Sequence, residues 1–486
     1  MSVSVTVPRA FSWLLSVILI GSLFDAFATE PPHVVLEVVY DEQTRRVDIQ
    51  AETTLSRVTP RFYLSKASTI ESEYIVPGIA ITETYDARVF DLEPGHHEVT
   101  VRFNYSLSLP NAKDLDTRTE SSGRVDWSGT STDAFLPGSR LWYPFFNQPS
   151  TVRLTIKTIV GLRAIAPGLP ISYSEENGYA VSVFDMSKPI LGIDLMIGDW
   201  QVRTKTMSGI EGEILLQTYF NKSNSDLAEE YLDLCERYIH FYEKLIGTYP
   251  YSSFTVVSSP YPTGLGMPSL TYISEKILKY PFIKTRSLPH EIVHNWWGNG
   301  VRVDYELGNW SEGLTTYLAD YWQLERVSED SAREMRYAWL RNYASISSKD
   351  EKSLQDFTTR RHTASSTIGY GKSAMFFHML RNIVGKEPFI ACLKEFWQTY
   401  QHESASFYDI RDTCQRHTAT NLTSFFDTWI PNIGAPTFSA SLNQVASTEH
   451  QLKITQNGRW VYPLDLEIIS GNDTFSVSEM IRSQET

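Results

Sequence analysis

The chain has 486 residues, a formal net charge of -14 at pH 7, 42% hydrophobic residues and 21% charged residues. This length is enough for about three domains with a large buried core, so we expect a globular protein. The acidic balance argues against nucleic-acid binding, which depends on positive charge to contact phosphates. Three cysteines are too few for a disulfide framework and allow one bridge at most.

The first 28 residues have the pattern of a secretory signal peptide. Arg9 lies in the positively charged start, an apolar stretch runs from Phe11 to Phe24, and Ala26-Phe-Ala28 has the form of a cleavage site. The apolar stretch is shorter than the roughly 20 residues that a spanning helix needs. We therefore expect an exported protein, periplasmic or secreted. The alternative is an uncleaved N-terminal anchor, which would hold the protein at a membrane.

Residues 29–205 alternate apolar and polar side chains with a period of two, as strands with one exposed face do. Near Ser225 the period becomes helical, and an apolar stripe from Leu227 to Ile246 stops at Gly247. After Pro436 short alternating segments return. We predict a multidomain α+β protein with an N-terminal β-sandwich at 29–205, an α/β domain at 206–436 and a short C-terminal β-sandwich region, complete or partial, at 437–486.

The segment His290-Glu-Ile-Val-His294 is the most informative motif of the chain. Residues four apart on a helix lie on one face, so both imidazoles point to the same side about one turn apart. Such a pair supplies two of the three protein ligands that a catalytic zinc ion needs. Glu291 is turned toward the open coordination position, where it is predicted to be the general base for a metal-activated water.

Glu312 is the predicted third ligand. It lies in Asn309-Trp-Ser-Glu-Gly313, at the start of a segment with helical apolar spacing and with Asn309 as its N-cap. Two neutral imidazoles and one carboxylate leave the ion with a net positive charge, enough to lower the pKa of its water to about 7. The sequence therefore predicts one Zn²⁺ ion and hydrolysis near neutral pH.

These segments resemble the zinc-binding signature of the membrane alanyl aminopeptidase family, the gluzincin metallopeptidases that include leukotriene hydrolase. Further segments resemble the family in the same order: Leu141-Trp-Tyr-Pro144, Tyr370-Gly-Lys-Ser-Ala374, Phe425-Phe-Asp-Thr-Trp429 and Gly434-Ala-Pro436. The resemblance implies a thermolysin-like catalytic domain, zinc-dependent peptidase activity and a peptide substrate. It also implies that Tyr370, which opens a helical run to Gly385, donates a hydrogen bond to the oxyanion of the transition state.

One segment departs from the family pattern. Gly264-Leu-Gly-Met-Pro-Ser-Leu-Thr-Tyr272 aligns with the family's Gly-x-Met-Glu-Asn strand, but Pro268 and Ser269 stand in the places of the Glu and Asn. In the family this Glu pairs with the free α-ammonium group of the substrate, and neither Ala134 nor Leu136 offers a replacement. A buried ammonium needs a partner. We therefore expect the family's usual recognition of a free N-terminus to be missing, which leaves exopeptidase and endopeptidase cleavage open.

The same segment still has the features of a substrate-binding edge. Gly264, Gly266 and Met267 are predicted to bind substrate through main-chain groups, because a glycine-rich edge lets a peptide approach and pair as an added strand. Asp304 or Glu306 could supply the missing acid, although a solvated loop charge is the simpler interpretation.

Two other functions are compatible with the motif. A non-peptidase hydrolase would use the same metal-activated water, and a binding protein would keep the zinc with little turnover. The intact set of Glu291, Tyr370 and three ligands favours an enzyme. The sequence does not indicate an oligomeric state.

Overall fold

A computed structural model of the protein describes residues 30–71, 77–111, 126–261, 264–360, 362–446, 449–458, 460–470 and 473–481. The predicted signal peptide at residues 1–28 lies outside this part of the chain. Within the described ranges, no helix has both the length and the apolarity that crossing a bilayer requires.

The N-terminal region consists of three sheets that share one apolar core. The alternation predicted from the sequence is visible in its first strand, where Val34, Leu36 and Val38 are buried and their neighbours are not. Its strands are β1 (His33–Asp41), β2 (Arg46–Ser56), β3 (Arg61–Ser65), β4 (Thr69–Ile70), β5 (Ile79–Glu83), β6 (Ala87–Leu92), β7 (Glu98–Ser108), β8 (Ser128–Gly129), β9 (Ala134–Leu136), β10 (Ser150–Ile159), β11 (Arg163–Ile165), β12 (Leu169–Glu176), β13 (Tyr179–Ile190) and β14 (Leu195–Gly198). The sheet orders are β12-β13-β10-β1-β2-β7-β4, β11-β14-β9-β8 and β3-β6-β5.

The catalytic region begins with a mixed five-stranded sheet of order β15-β16-β17-β19-β18. Its strands are β15 (Gln201–Gly209), β16 (Gly212–Phe220), β17 (Ser253–Ser259), β18 (Leu265–Met267) and β19 (Leu270–Ser274). Strand β18 is the antiparallel edge, and among the described residues no further strand pairs with its outer side. The boundary predicted between residues 205 and 206 falls inside β15, so this sheet already begins at Gln201.

Ten α-helices follow or flank this sheet in the described part of the catalytic region. They are α1 (Ala228–Leu245), α2 (Leu288–Val293), α3 (Trp310–Thr315), α4 (Trp322–Val327), α5 (Glu329–Ala344), α6 (Thr363–Ser366), α7 (Ser373–Val384), α8 (Lys386–Tyr400), α9 (Phe407–Gln415) and α10 (Thr423–Trp429). Three π-helical segments, Ile283–Ser287, Thr316–Tyr321 and Thr367–Lys372, precede α2, join α3 to α4 and join α6 to α7. A small sheet contains β20 (Trp297–Gly298), β21 (Val301–Val303) and β22 (Ser404–Ala405).

The C-terminal region consists of two separate antiparallel hairpins. The first pairs β23 (Phe438–Ala446) with β24 (Glu449–Gln456), and the second pairs β25 (Tyr462–Ser470) with β26 (Asp473–Ile481). Trp460 and Val461 lie in the core of the catalytic region. The indole of Trp429 donates a hydrogen bond of 2.6 Å to the carbonyl of Val461. The second hairpin is therefore packed onto the catalytic region.

One disulfide, Cys392–Cys414, joins α8 to α9. Cys235 is a buried free thiol, and burial raises its pKa above the ordinary range. Two of the three cysteines thus form the one bridge that the count allows.

Candidate active site

Helix α2 presents both motif histidines to a cavity, because Ile292 and Val293 on its other face are fully buried in the core. His290 lies in the helix and His294 is its C-terminal cap residue. Their Nε2 atoms are 3.2 Å apart. The helical spacing therefore brings the two imidazoles together as predicted.

Glu312 completes a compact triangle of donor atoms. It lies in the first turn of α3, where the Asn309 side chain accepts a hydrogen bond of 3.1 Å from the Ser311 N–H. The Glu312 Oε2 atom is 3.5 Å from His290 Nε2 and 3.2 Å from His294 Nε2. This oxygen is buried and has no hydrogen-bond partner among the described residues. The carboxylate is therefore aimed at a point between the imidazoles.

The three donor atoms fit a zinc ion. Ligand bonds of about 2.0–2.1 Å in a tetrahedral site place neighbouring donors roughly 3.3 Å apart. The observed separations of 3.2, 3.2 and 3.5 Å agree with that value. His290, His294 and Glu312 are also the only group of three or more His, Cys, Asp or Glu ligand atoms that lie within metal-binding distance of one another in the described ranges.

Outer partners orient both imidazoles. His294 Nδ1 is 2.9 Å from the Trp297 carbonyl, which makes Nδ1 the donor and leaves Nε2 free to bind a metal. His290 Nδ1 lies 3.8 Å from Asp320 Oδ2. Asp320 was not predicted from the sequence. It follows Glu312 by eight residues, which in a regular helix would turn it about 80° away, but the π-helical segment changes that phase.

The Glu291 carboxylate lies beside the triangle. Burial raises its pKa, an effect that His290 and His294 partly offset. A β-carbon added to Gly266 on the edge strand β18 would contact Glu291 Oε2, so the glycine allows strand and base to lie against each other. The predicted base therefore lies where a substrate strand beside β18 would place its peptide group.

Tyr370 lies on the opposite side of His290. Its ring is nearly parallel to the His290 ring, with 6.1 Å between centroids, and its hydroxyl interacts electrostatically with Glu312. Burial, reinforced by Glu312, raises the pKa of Tyr370 above its ordinary range, so the hydroxyl remains a donor. The prediction that Tyr370 opens its helix is wrong: the helix starts at Thr363, and Tyr370 lies inside the π-helical segment.

One cavity of about 660 Å³ is lined by the three predicted metal ligands, by Glu291 and by Tyr370. Gly264 and Gly266 line it, whereas Met267 lines a neighbouring cavity, and the binding of substrate by these three residues stays a prediction. Tyr305 and Arg360 also line the cavity, and sequence reasoning missed both of them. No motif marks them, because loops after β21 and before α6 bring them in.

Pro268 and Ser269 form the two-residue turn between β18 and β19. Ser269 has a φ of 61°, and its N–H donates 2.8 Å to the buried side chain of Asn295, which follows the second motif histidine. Its hydroxyl accepts 2.9 Å from the Gly168 N–H in the N-terminal region. These residues therefore hold the edge strand in place between the zinc-motif segment and the N-terminal region.

Neither loop acid fills the place of the missing glutamate. The Asp304 side chain accepts a hydrogen bond of 3.1 Å from the Glu306 N–H and caps a short 3₁₀ turn, Tyr305–Leu307. Neither acid is among the residues that line the cavity. Their position favours the simpler interpretation of solvated loop charges.

The chain is similar to several known peptidases. Residues 231–429 match the peptidase family M1 domain. The chain is 23% identical over 401 residues to the human thyrotropin-releasing hormone-degrading ectoenzyme, covering 71% of this chain and 36% of that protein. It is 24% identical over 208 residues to aminopeptidase N of Lactococcus lactis, covering 38% of this chain and 24% of that protein. The matches thus span about a third or less of these relatives.

Solved structures show the same fold. An M1 zinc metallopeptidase mutant from Deinococcus radiodurans, bound to a Tyr-Ser-Ala substrate, is similar with a TM-score of 0.64 and 17% identity. The similarity covers 84% of this chain and 95% of that one. The described architecture is therefore shared almost throughout the length of that structure.

Proposed function

Since the chain carries a peptidase family M1 domain at residues 231–429, we propose that this protein is a zinc-dependent peptidase. The observation that carries the proposal is the triangle of His290, His294 and Glu312 donor atoms with Glu291 beside it. We propose one zinc ion at this triangle. The ion supplies Lewis acidity, which polarises a peptide carbonyl and makes water a nucleophile near neutral pH.

Glu291 is the proposed general base. Its partly buried carboxylate accepts a proton from the attacking water and then donates that proton to the leaving amine. Tyr370 keeps its proton because burial and Glu312 raise its pKa, so its hydroxyl can donate to the carbonyl oxygen as charge develops there. Asp320 and the Trp297 carbonyl hold the histidine rings in orientation.

The edge strand β18 is the proposed backbone-binding element. A peptide that pairs with its open side runs past Gly266 and presents a peptide group to Glu291. The matched relatives include an aminopeptidase and a hormone-degrading ectoenzyme, which supports a peptide substrate. Because a structural turn occupies residues 268–269, we propose that a free amino group next to the cleaved bond is not required.

We further propose that the protein acts outside the cytoplasm. The signal-peptide pattern of residues 1–28 supports this location. The Cys392–Cys414 disulfide supports it independently, since structural disulfides persist mainly in oxidising compartments.

Hydrolysis of internally quenched peptides tests the proposed function. We expect cleavage that stops on chelation and returns with zinc. Glu291→Gln removes the base, and we expect a loss of about 10²–10⁴-fold in kcat with the metal retained. His294→Ala removes a ligand, so we expect loss of both metal and activity.

Glu306→Gln is the matched control, because Glu306 is an exposed carboxylate that does not line the cavity. Its activity should equal that of the wild type. Cleavage that persists in Glu291→Gln, or full zinc content in His294→Ala, would contradict the proposed site.

A further inference from the structure

A second cavity of about 410 Å³ adjoins the metal cavity along the edge strand β18. The two cavities share Leu265, Gly266 and Asn299 in their linings. The second cavity also reaches the N-terminal region at Phe135, Pro137 and Gly138. A peptide that pairs with β18 and passes Glu291 can therefore extend into this second cavity.

Asp194 is the one charged side chain among the described residues that line this cavity. It precedes β14, and because Leu195 pairs with Leu136, Asp194 lies opposite the end of β9. Its Oδ1 accepts a hydrogen bond of 2.7 Å from the Gly138 N–H. The carboxylate is therefore fixed in the wall of the cavity.

This carboxylate has no counter-ion in the described part of the chain, since no Lys, Arg or His nitrogen there lies within 4.0 Å of it. Burial raises its pKa to about 6, so it is still largely ionised at neutral pH. The buried hydroxyl of Tyr272 interacts electrostatically with Asp194 and has no hydrogen-bond partner among the described residues. The Asp194 carboxylate, which lines the cavity, therefore lacks a compensating charge, and this is costly unless a ligand supplies one.

Apart from the metal-site residues, the charged side chains that line the two cavities differ in sign. Arg360 lines the metal cavity, and Asp194 lines the cavity beyond Gly266. A peptide carries a positive amino terminus and a negative carboxyl terminus. This pattern favours a peptide whose N-terminal side points toward Asp194 and whose C-terminal side points toward Arg360.

We propose that the second cavity binds a cationic group on the N-terminal side of the cleaved bond, with Asp194 as its counter-ion. This inference rests on the proposed peptidase function. The cation is either the α-ammonium group of a peptide that extends past Gly266 or a Lys or Arg side chain. The preference among peptide substrates would then come from the Asp194 charge in the second cavity.

Calorimetric binding of short peptides to zinc-loaded Glu291→Gln protein tests this proposal. One arm compares alanine peptides of two to five residues with their N-acetylated forms. The other arm compares N-acetylated peptides that carry Lys or Met at the first position. Each arm is repeated in the Asp194→Asn background, where the amide can still accept from the Gly138 N–H.

We expect the cationic form to bind about 10- to 100-fold more tightly in one arm, and Asp194→Asn to abolish that difference. A preference in the first arm identifies the α-ammonium group, and one in the second arm identifies a side chain. Asp48→Asn changes an exposed carboxylate on β2 and is the control for charge alone. Asp194→Glu keeps the charge and should retain part of the preference.

Equal affinities of cationic and neutral peptides, or a preference that survives in Asp194→Asn, would overturn the proposal. A failure of the proposed peptidase function gives a different result, because the wild type would then show no chelator-sensitive cleavage. Binding that depends on Asp194 would support the subsite even then.

Discussion

Three carboxylates in the metal cavity and the second cavity have different surroundings. At Glu312 the burial that would raise the pKa is outweighed by His294 and His290, which lower it and keep the group ionised. At Glu291 burial dominates and the pKa is raised, as a proton-accepting and proton-donating group requires. At Asp194 burial also dominates, but no cation compensates for it. The same chemical group is thus suited to ligation, proton transfer or ion pairing.

Asp194 should reduce the stability of the protein at neutral pH. Its folded pKa of about 6 exceeds its ordinary value of 3.8, so the folded state holds more protons than the unfolded state between these pH values. Stability is therefore lost as the pH rises through this window. Asp194→Asn should gain about 1–2 kcal/mol in free energy of unfolding at pH 8, less than the full shift implies because the side chain is partly exposed.

Urea denaturation of both proteins at pH 8 and pH 4 measures this effect. The gain in free energy of unfolding from Asp194→Asn should shrink toward zero at pH 4, where the Asp194 carboxyl is largely protonated in the folded state. An equal gain at both pH values would show that the charge of Asp194 is not its cause.

The sequence predicted the zinc-motif residues and missed Asp194 for a physical reason. His290, Glu291, His294 and Glu312 follow local helical periodicity, which is readable in one segment. Asp194 becomes a wall residue only because β14 pairs with β9, and such pairing between distant segments leaves no local pattern.

At the scale of elements, the edge strand and α2 form one functional unit. Gly266 permits the contact between them, and Asn295 ties the turn after β18 to the carbonyls of Glu291 and Ile292. The position of the base relative to the substrate strand therefore depends on packing that involves no catalytic chemistry.

Gly266→Ala tests this unit. The new methyl group would contact Glu291 Oε2, so we expect kcat/KM to fall by about 10- to 100-fold while the zinc content and fold are retained. Gly264→Ala is the comparison variant, because its nearest new neighbour is the Tyr272 carbonyl oxygen at 3.6 Å, an ordinary contact. Steady-state kinetics with one quenched peptide measures both. Equal losses in the two variants would contradict this account.

Two helix termini were predicted correctly, whereas the helical start predicted at Tyr370 was wrong. Asn309 caps α3 and Gly385 ends α7, because capping residues act locally. The π-helical segments could not be predicted, since an extra residue in a turn is stabilised by packing around a site rather than by the intrinsic preference of any residue.

At the scale of the whole molecule, two apolar cores carry the fold. One core lies mainly in the N-terminal region. The other includes residues of the catalytic region together with Trp460, Val461, Tyr462 and Ile481. The sequence predicted the order of β, α/β and β regions from changes in period. It could not show that the last region shares its core with the catalytic region, because that contact joins segments far apart in the chain.

Trp460→Ala should therefore weaken the catalytic region as well as the C-terminal hairpins. Trp460 is 9% exposed and its ring lies 5.0 Å from that of Trp429, so we expect a loss of about 3–5 kcal/mol in free energy of unfolding. Phe438→Ala is the control, because Phe438 is 55% exposed and its removal should cost less than about 0.5 kcal/mol. Denaturation of both variants is monitored by the release of zinc, and we expect a single cooperative transition. Two separate transitions would contradict a shared core.

The three π-helical segments set how this site tolerates change over evolutionary time. One precedes the zinc-motif helix, one contains Asp320 and one contains Tyr370. Substitution alters a side chain but leaves the helical phase intact, whereas deletion of one residue rotates everything beyond it by about 100°. Substitutions outside the site residues can therefore occur along these helices without changing the direction in which the site residues point. The lengths of these helices cannot change by one residue without loss of the site, since one deleted residue would rotate the side chains beyond it away from the other site residues.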